Sequence, residues 1–174
     1  MRKLVFVAVL LLGFCAVSAA QDVPQFEVFG GWNIVLPEGD EIDYLNGWEG
    51  TFGVNINEYA SAVIDVGGVY YSGDDAGTVS IHSFLVGPQI KLPGTEKIVP
   101  FARALFGGSH LDTPDDMMND NGFTMALGGG VDINYNDMIS IRAAQIEYVT
   151  TRFSGEFVDT ARFGAGIVFK FGER

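Results

Sequence analysis

Arg162-Phe163-Gly164-Ala165-Gly166-Ile167-Val168-Phe169-Lys170-Phe171 changes side-chain character with a period of two residues. Phe163, Ala165, Ile167, Phe169 and Phe171 fall on one side of an extended chain, and Arg162, Gly164, Gly166, Val168 and Lys170 on the other. Successive side chains of a strand point to opposite faces, so this is a strand with one greasy and one mixed face. The same period returns upstream. Phe26, Val28, Gly30, Trp32, Ile34 and Leu36 oppose Glu27, Phe29, Gly31, Asn33 and Val35. Trp48, Phe52, Val54 and Ile56 oppose Glu49, Thr51, Gly53 and Asn55. Phe123, Met125, Leu127, Val131 and Ile133 oppose Thr124, Ala126, Gly128, Gly130, Asp132 and Asn134.

Read outward from these runs, the chain divides into alternating segments separated by turn signals, the pattern of an all-β sandwich or barrel. Eight strands are predicted, over 25–36, 47–57, 60–72, 79–91, 99–111, 123–135, 138–151 and 157–171. No segment sustains a helical period, and no linker divides the chain. The expected fold is all-β: an eight-stranded antiparallel up-and-down transmembrane β-barrel.

Alternation alone does not say which face points outward. A soluble lipocalin-like barrel would hold the greasy face inside. Three features argue for the reverse. The mixed face is built from Gly, Ala, Ser and Thr with scattered charges, which suits the cramped interior of a narrow barrel. The greasy face carries Trp32, Trp48, Tyr70, Tyr135 and Phe171, the residue types of membrane-interface girdles. The connectors alternate in length. Those at 37–46, 73–78, 113–122 and 152–156 belong to one end, expected outside the cell. Those at 57–59, 93–98 and 136–137 belong to the other, expected in the periplasm with both chain termini. Closure follows from chemistry, because an open strand edge in lipid leaves N–H and C=O groups without partners.

Of the 174 residues, the first twenty read as a secretory signal peptide. Arg2 and Lys3 give a positive start, Leu4 to Val17 is apolar, and Ser18-Ala19-Ala20 supplies small residues before Gln21. The apolar run falls short of the about 20 residues a spanning helix needs. Phe14 is too bulky for lipoprotein processing at Cys15. With the leader removed, residues 21–174 form the barrel domain and hold no cysteine, hence no disulfide, thiolate metal site or Cys nucleophile. Without Arg2 and Lys3, eight basic residues face 22 acidic ones, a net charge of −14. Such a surface repels nucleic acid.

The mixed faces carry ionisable residues in mid-strand: the acids Glu27, Glu49, Asp65, Asp132 and Glu147, and the bases Arg103, Arg142, Arg162 and Lys170. Unpaired charges in a narrow interior are costly, so these should pair across strands as a structural lumen network. The seventh strand breaks its alternation. Ser140 and Arg142 share one parity, Gln145 and Glu147 the other. A β-bulge near Ala143-Ala144 reconciles them; otherwise Gln145 and Glu147 lie at the membrane edge.

A hydrolytic reading would pair His82 with Ser83 or His110 with Ser109. Neighbours on a strand face opposite ways, so neither makes a dyad, and no enzymatic activity is expected. Asp112, Asp115, Asp116, Asn119, Asp120 and Asn121, like Glu38, Asp40, Glu41 and Asp43, read as solvated acidic loops. Their spacing does not match a calcium loop, and no metal site or cofactor is expected.

The chain resembles the small outer-membrane β-barrels of the OmpA and OmpX type. The resemblance spans Gln25 to Phe171 and rests on the leader, the eight alternating strands and the final run from Arg162 to Phe171. That run is similar to the C-terminal strand that the barrel-assembly machinery recognises, although Gly172-Glu173-Arg174 follow the terminal aromatic. Val86-Gly87-Pro88-Gln89 and Val99-Pro100-Phe101-Ala102-Arg103-Ala104 are similar to phrases of porin-like barrel domains. The resemblance implies a bacterial outer-membrane location, with membrane lipids, lipopolysaccharide and the assembly machinery as partners, and a monomer. The expected role is structural, envelope-stabilising or surface-interacting. A narrow low-conductance pore is the alternative, followed by a lipid-modifying barrel enzyme and a soluble lipocalin-like barrel.

Overall fold

Strict two-residue alternation over strands of eleven to sixteen residues lets one face be greasy and the other polar along the whole element. In the computed structural model, which describes residues 24–37, 44–73, 77–112, 120–153 and 156–172, these strands close into a single barrel. They are β1 (Phe26–Pro37), β2 (Leu45–Asn55), β3 (Ala60–Gly73), β4 (Gly77–Lys91), β5 (Ile98–Asp112), β6 (Asp120–Asn134), β7 (Ile139–Phe153) and β8 (Glu156–Phe171). Every neighbouring pair is antiparallel, and β8 returns to β1 through the register Phe26↔Phe171 to Pro37↔Thr160. No strand edge is left open, as a barrel in lipid requires. The expected leader at 1–20, and most of the acidic residues expected at 37–46 and 113–122, lie outside the described residues.

The register fixes the tilt. Asn55 bonds to Gln25, and its cross-strand line runs through Ser61, Gln89, Arg103, Gly128, Glu147 and Arg162 to Val35. One circuit therefore climbs ten residues along β1, from Gln25 to Val35. Strands so tilted bring residues distant in sequence to one level of the lumen.

The faces are oriented as the alternation predicts. Leu127 is 65% exposed while its neighbour Ala126 is 2% exposed. Phe163, Ile167, Phe169 and Phe171 point out, and Arg162 and Val168 point in. The soluble lipocalin-like arrangement is thereby overturned: the charges are inside and the apolar wall is outside. Trp32 and Trp48 are register partners on that wall, and Trp48 Nε1 donates to Tyr70 Oη at 3.2 Å. Near the opposite rim, Phe26 stacks on Phe52 at 5.9 Å and lies tilted against Phe171 at 5.7 Å between ring centres.

Two details differ from the sequence reading. β2 ends at Asn55, because Asn57 already folds the chain back by accepting from the amides of Tyr59 and Ala60, both at 2.8 Å. Asn136 does the same for Met138 and Ile139, at 2.9 and 2.7 Å. Such Asx turns explain why these reversals need so few residues. The interior is also less uniformly small and polar than its Gly, Ala, Ser and Thr suggest. Phe29, Phe101, Leu85 and Leu105 are buried there, at most 3% exposed.

Candidate functional site

The lumen is the site, and it is built in layers. The middle layer is an ion network. Arg103 on β5 reaches across to β2, where Nη2 meets Glu49 Oε1 at 2.5 Å. Its Nε donates to Glu147 on β7, and Nη2 lies 3.4 Å from Asp65 on β3. Arg162 on β8 closes the ring, with Glu147 at 2.5 Å, Asp65 at 3.5 Å and Glu49 at 3.8 Å. Thr51 adds a hydrogen bond to Asp65 at 2.9 Å. The side chains of Arg103, Glu49, Asp65 and Glu147 are fully buried. Three carboxylates and two guanidiniums from five strands thus share one buried volume, each held by several charge-assisted bonds.

Local backbone makes the crossing possible. Arg103, Gly128 and Glu147 are consecutive on one register line. A Cβ on Gly128 would sit 2.1 Å from the Ile146 carbonyl and 2.8 Å from Glu147 Cγ. Only glycine lets the β6 backbone pass under that ion pair.

Below lies a second cluster. Arg142 Nε and Nη2 clasp Asp132 at 2.8 and 3.1 Å, the fork geometry that suits guanidinium and carboxylate. The same guanidinium is sandwiched between Phe29 and Phe101, at 4.4 and 4.1 Å from the ring centres. Phe29 folds over the bare backbone of Gly166, where a Cβ would meet its ring at 2.7 Å. Arg142 Nη1 donates to Gln145 Oε1 at 2.9 Å, and Gln145 Nε2 donates to both Glu49 oxygens at 2.9 and 3.0 Å. Gln145 therefore joins the two clusters into one network.

The bulge makes that link. The register slips between Arg142 and Gln145, and Ala143 and Ala144 both face outward. Arg142, Gln145 and Glu147 consequently all point inward, at most 2% exposed. The alternative, with Gln145 and Glu147 facing out at the membrane edge, is overturned.

Near the rim that carries the tight turns, Lys91 Nζ pairs with Glu27 Oε1 at 2.6 Å. Lys91 is absent from the sequence-derived set, because it sits at the strand end beside Leu92 and Pro93 rather than within an alternating run. Among the described residues it brings the inward bases to five, against five acids. Lys170, expected to join an acid, instead donates to Asn134 Oδ1 at 2.6 Å. Gln145, Thr51 and Asn134 fall on the inward face by their parity, but the sequence does not mark them as members of the network. Uncharged polar residues on an inward face carry no signal that separates a network member from a small filler.

Above the ion network, toward the opposite rim, the lumen opens into a cavity of about 390 Å³ lined mainly by aliphatic side chains. His82 and His110 are register partners on the outer wall, whereas Ser83 and Ser109 line this cavity, so each adjacent His–Ser pair is split across the wall. Among the described residues, no cluster of His, Asp or Glu is arranged to hold a metal.

The sequence matches the outer membrane protein beta-barrel domain family over residues 6–171. The chain belongs to that family. Its place is the bacterial outer membrane, and the apolar wall is the surface that meets lipid. Among solved structures, this family member is similar to Neisserial surface protein A, with a TM-score of 0.64, 11% identity and coverage of 84% of this chain and 97% of that one. It is similar to the Yersinia pestis attachment invasion locus protein Ail, with a TM-score of 0.55, 15% identity and coverage of 84% and 99%. The N-terminal β-barrel of Pseudomonas aeruginosa OprF aligns with a TM-score of 0.52, 12% identity and coverage of 86% and 100%. At such identities the likeness is one of fold. No curated protein matches the sequence.

Proposed function

We propose that this outer-membrane barrel is a sealed, non-enzymatic envelope protein, with a structural, envelope-stabilising or surface-interaction role. The observation that carries this reading is the ion network across the mid-lumen. Arg103, Glu49, Asp65, Glu147 and Arg162 are at most 5% exposed and tie five strands together. A path for ions would need those groups hydrated. Here their partners are one another, which supports a plug that also holds strand register. The separation of each histidine from its neighbouring serine supports a role without hydrolysis. Both chain ends and the Asx turns at Asn57 and Asn136 belong on the periplasmic side, with the acidic connectors outside among lipopolysaccharide headgroups. The aromatic-ended β8 supports delivery by the barrel-assembly machinery, and the complete closure of each protomer supports a monomer.

Single-channel recording on the reconstituted protein tests the plug. No steady openings are expected. Reproducible openings from the native chain would replace this reading with that of a narrow pore. Mass spectrometry of lipid A from cells with and without the protein separately tests the enzymatic alternative, and identical spectra are expected.

A further inference from the structure

We infer that the lumen above the ion network is a binding site for a neutral, single-chain apolar molecule that ends in a hydroxyl group. Four observations lead there. The cavity, about 390 Å³, is within the range of small-molecule sites, and the narrow eight-stranded lumen admits one chain. Its walls are aliphatic, with Leu45, Ile81, Leu111, Val149 and Val158 on five different strands. Burying a hydrocarbon chain there removes apolar surface on both sides from water.

The floor selects against charge. Arg162 reaches the cavity, but its guanidinium is already held by Glu147 and Asp65. A carboxylate ligand would approach those two acids as well as the arginine. A cationic ligand would find both carboxylates engaged. Three of the lining hydroxyls bond among themselves, Ser109 to Thr124 at 2.7 Å and Thr124 to Thr151 at 3.0 Å, and Thr160 donates to the Val149 carbonyl at 3.3 Å.

Among the side chains that line the cavity, one buried acceptor is left over. Asn33 lines the cavity, is 1% exposed, and its Oδ1 has no hydrogen-bond partner. Its Nδ2 makes only a long 3.5 Å contact to the Trp48 carbonyl. Oδ1 lies covered against the backbone of Gly47, and a buried acceptor without a donor is unfavourable; a turn of the Asn33 amide toward the cavity would let a ligand hydroxyl supply that donor. The geometry places the polar end of the ligand deep, at Asn33, and its chain toward the open rim.

The test uses the native protein in lipid nanodiscs, with methyl NMR and three probes: 1-decanol, decane and decanoate. Saturable shifts are expected for the methyls of Ile81, Leu85 and Val149, with the lipid-facing methyls of Ile64 and Ile90 unmoved. Decanol should bind roughly tenfold more tightly than decane, the worth of one buried hydrogen bond. Asn33→Leu should erase that preference while leaving chain binding, and Val149→Trp should abolish binding by filling the cavity. If Val149→Trp does not fold, nuclear Overhauser contacts from the decanol chain to Leu85 in the native protein decide. Non-saturable shifts, shifts shared equally by Ile64 and Ile90, or absent contacts to Leu85 would overturn the site. Decanoate binding as tightly as decanol would overturn its neutrality. Conductance plays no part in these readouts, so the site and the plug stand or fall separately.

Discussion

Arg103 on β5 and Glu49 on β2 meet at 2.5 Å across the lumen, although 54 residues separate them in the chain. The contact spans the barrel rather than joining neighbouring strands, so it reports closure of the whole wall. Through Glu147 and Asp65 it also couples β7 and β3. Removing Arg103 therefore leaves three carboxylates to share Arg162. Arg103→Leu is expected to lower unfolding free energy in lipid vesicles by about 3–5 kcal/mol, the typical cost of breaking a buried ion pair. Adding Glu147→Gln should recover part of the loss. Native-like stability of the single variant would show that the network does not hold the barrel together.

Arg142 offers a sharper test, because its surroundings reward shape as well as charge. It clasps Asp132 and stacks between Phe29 and Phe101. Arg142→Leu strands Asp132 and should destabilise the barrel by a similar amount. A lipid-facing arginine would behave oppositely, since removing it from mid-bilayer would gain roughly 2–4 kcal/mol. Arg142→Lys keeps the charge but loses both the fork and the planar stack, so it should recover only part of the stability. Urea titrations of the three proteins in vesicles provide the comparison, and a more stable Arg142→Leu would refute the inward placement.

Two glycines should respond in opposite ways to the same added methyl group. At Gly128 a Cβ would lie 2.1 Å from the Ile146 carbonyl, whereas at Gly30 it would meet nothing within 4 Å. Gly128→Ala is expected to push β6 off the Arg103–Glu147 crossing and impair folding, seen as loss of the heat-modifiable band on gels. Gly30→Ala should fold normally and stay within about 0.5 kcal/mol of the native protein. Equal tolerance at both sites would mean that the close approach at Gly128 is not required.

Topology is open to direct labelling. The proposed orientation, with both termini in the periplasm, predicts that an epitope inserted after Pro114 is stained on intact cells, and one at Asn136 only after the outer membrane is permeabilised. Staining at Asn136 alone would invert the orientation.

Most of the architecture was legible in the sequence because a strand's period is local. Phe163 to Phe171 and Phe26 to Leu36 each declare two faces, and turn residues mark where the chain reverses. The fault in β7 was legible for the same reason: Arg142 and Gln145 share an inward face only if one residue is extra, and the register slips there. The candidate charges could be named because a charge on an inward face has few tolerable states. What the sequence did not contain is who meets whom. Register and tilt belong to the paired strands: the pairing of β5 through β8 puts Arg103, Glu147 and Arg162 on a single line, and one closed circuit shifts the pairing by ten residues. Only that closure decides that Gln145 bridges the two clusters, that Lys91 takes Glu27 while Lys170 takes Asn134, and that Asn33 keeps an acceptor without a donor. The apolar cavity is likewise a tertiary result. Leu45, Ile81, Leu111 and Val149 come from four strands, and nothing in the local period of any one of them says that they surround the same space.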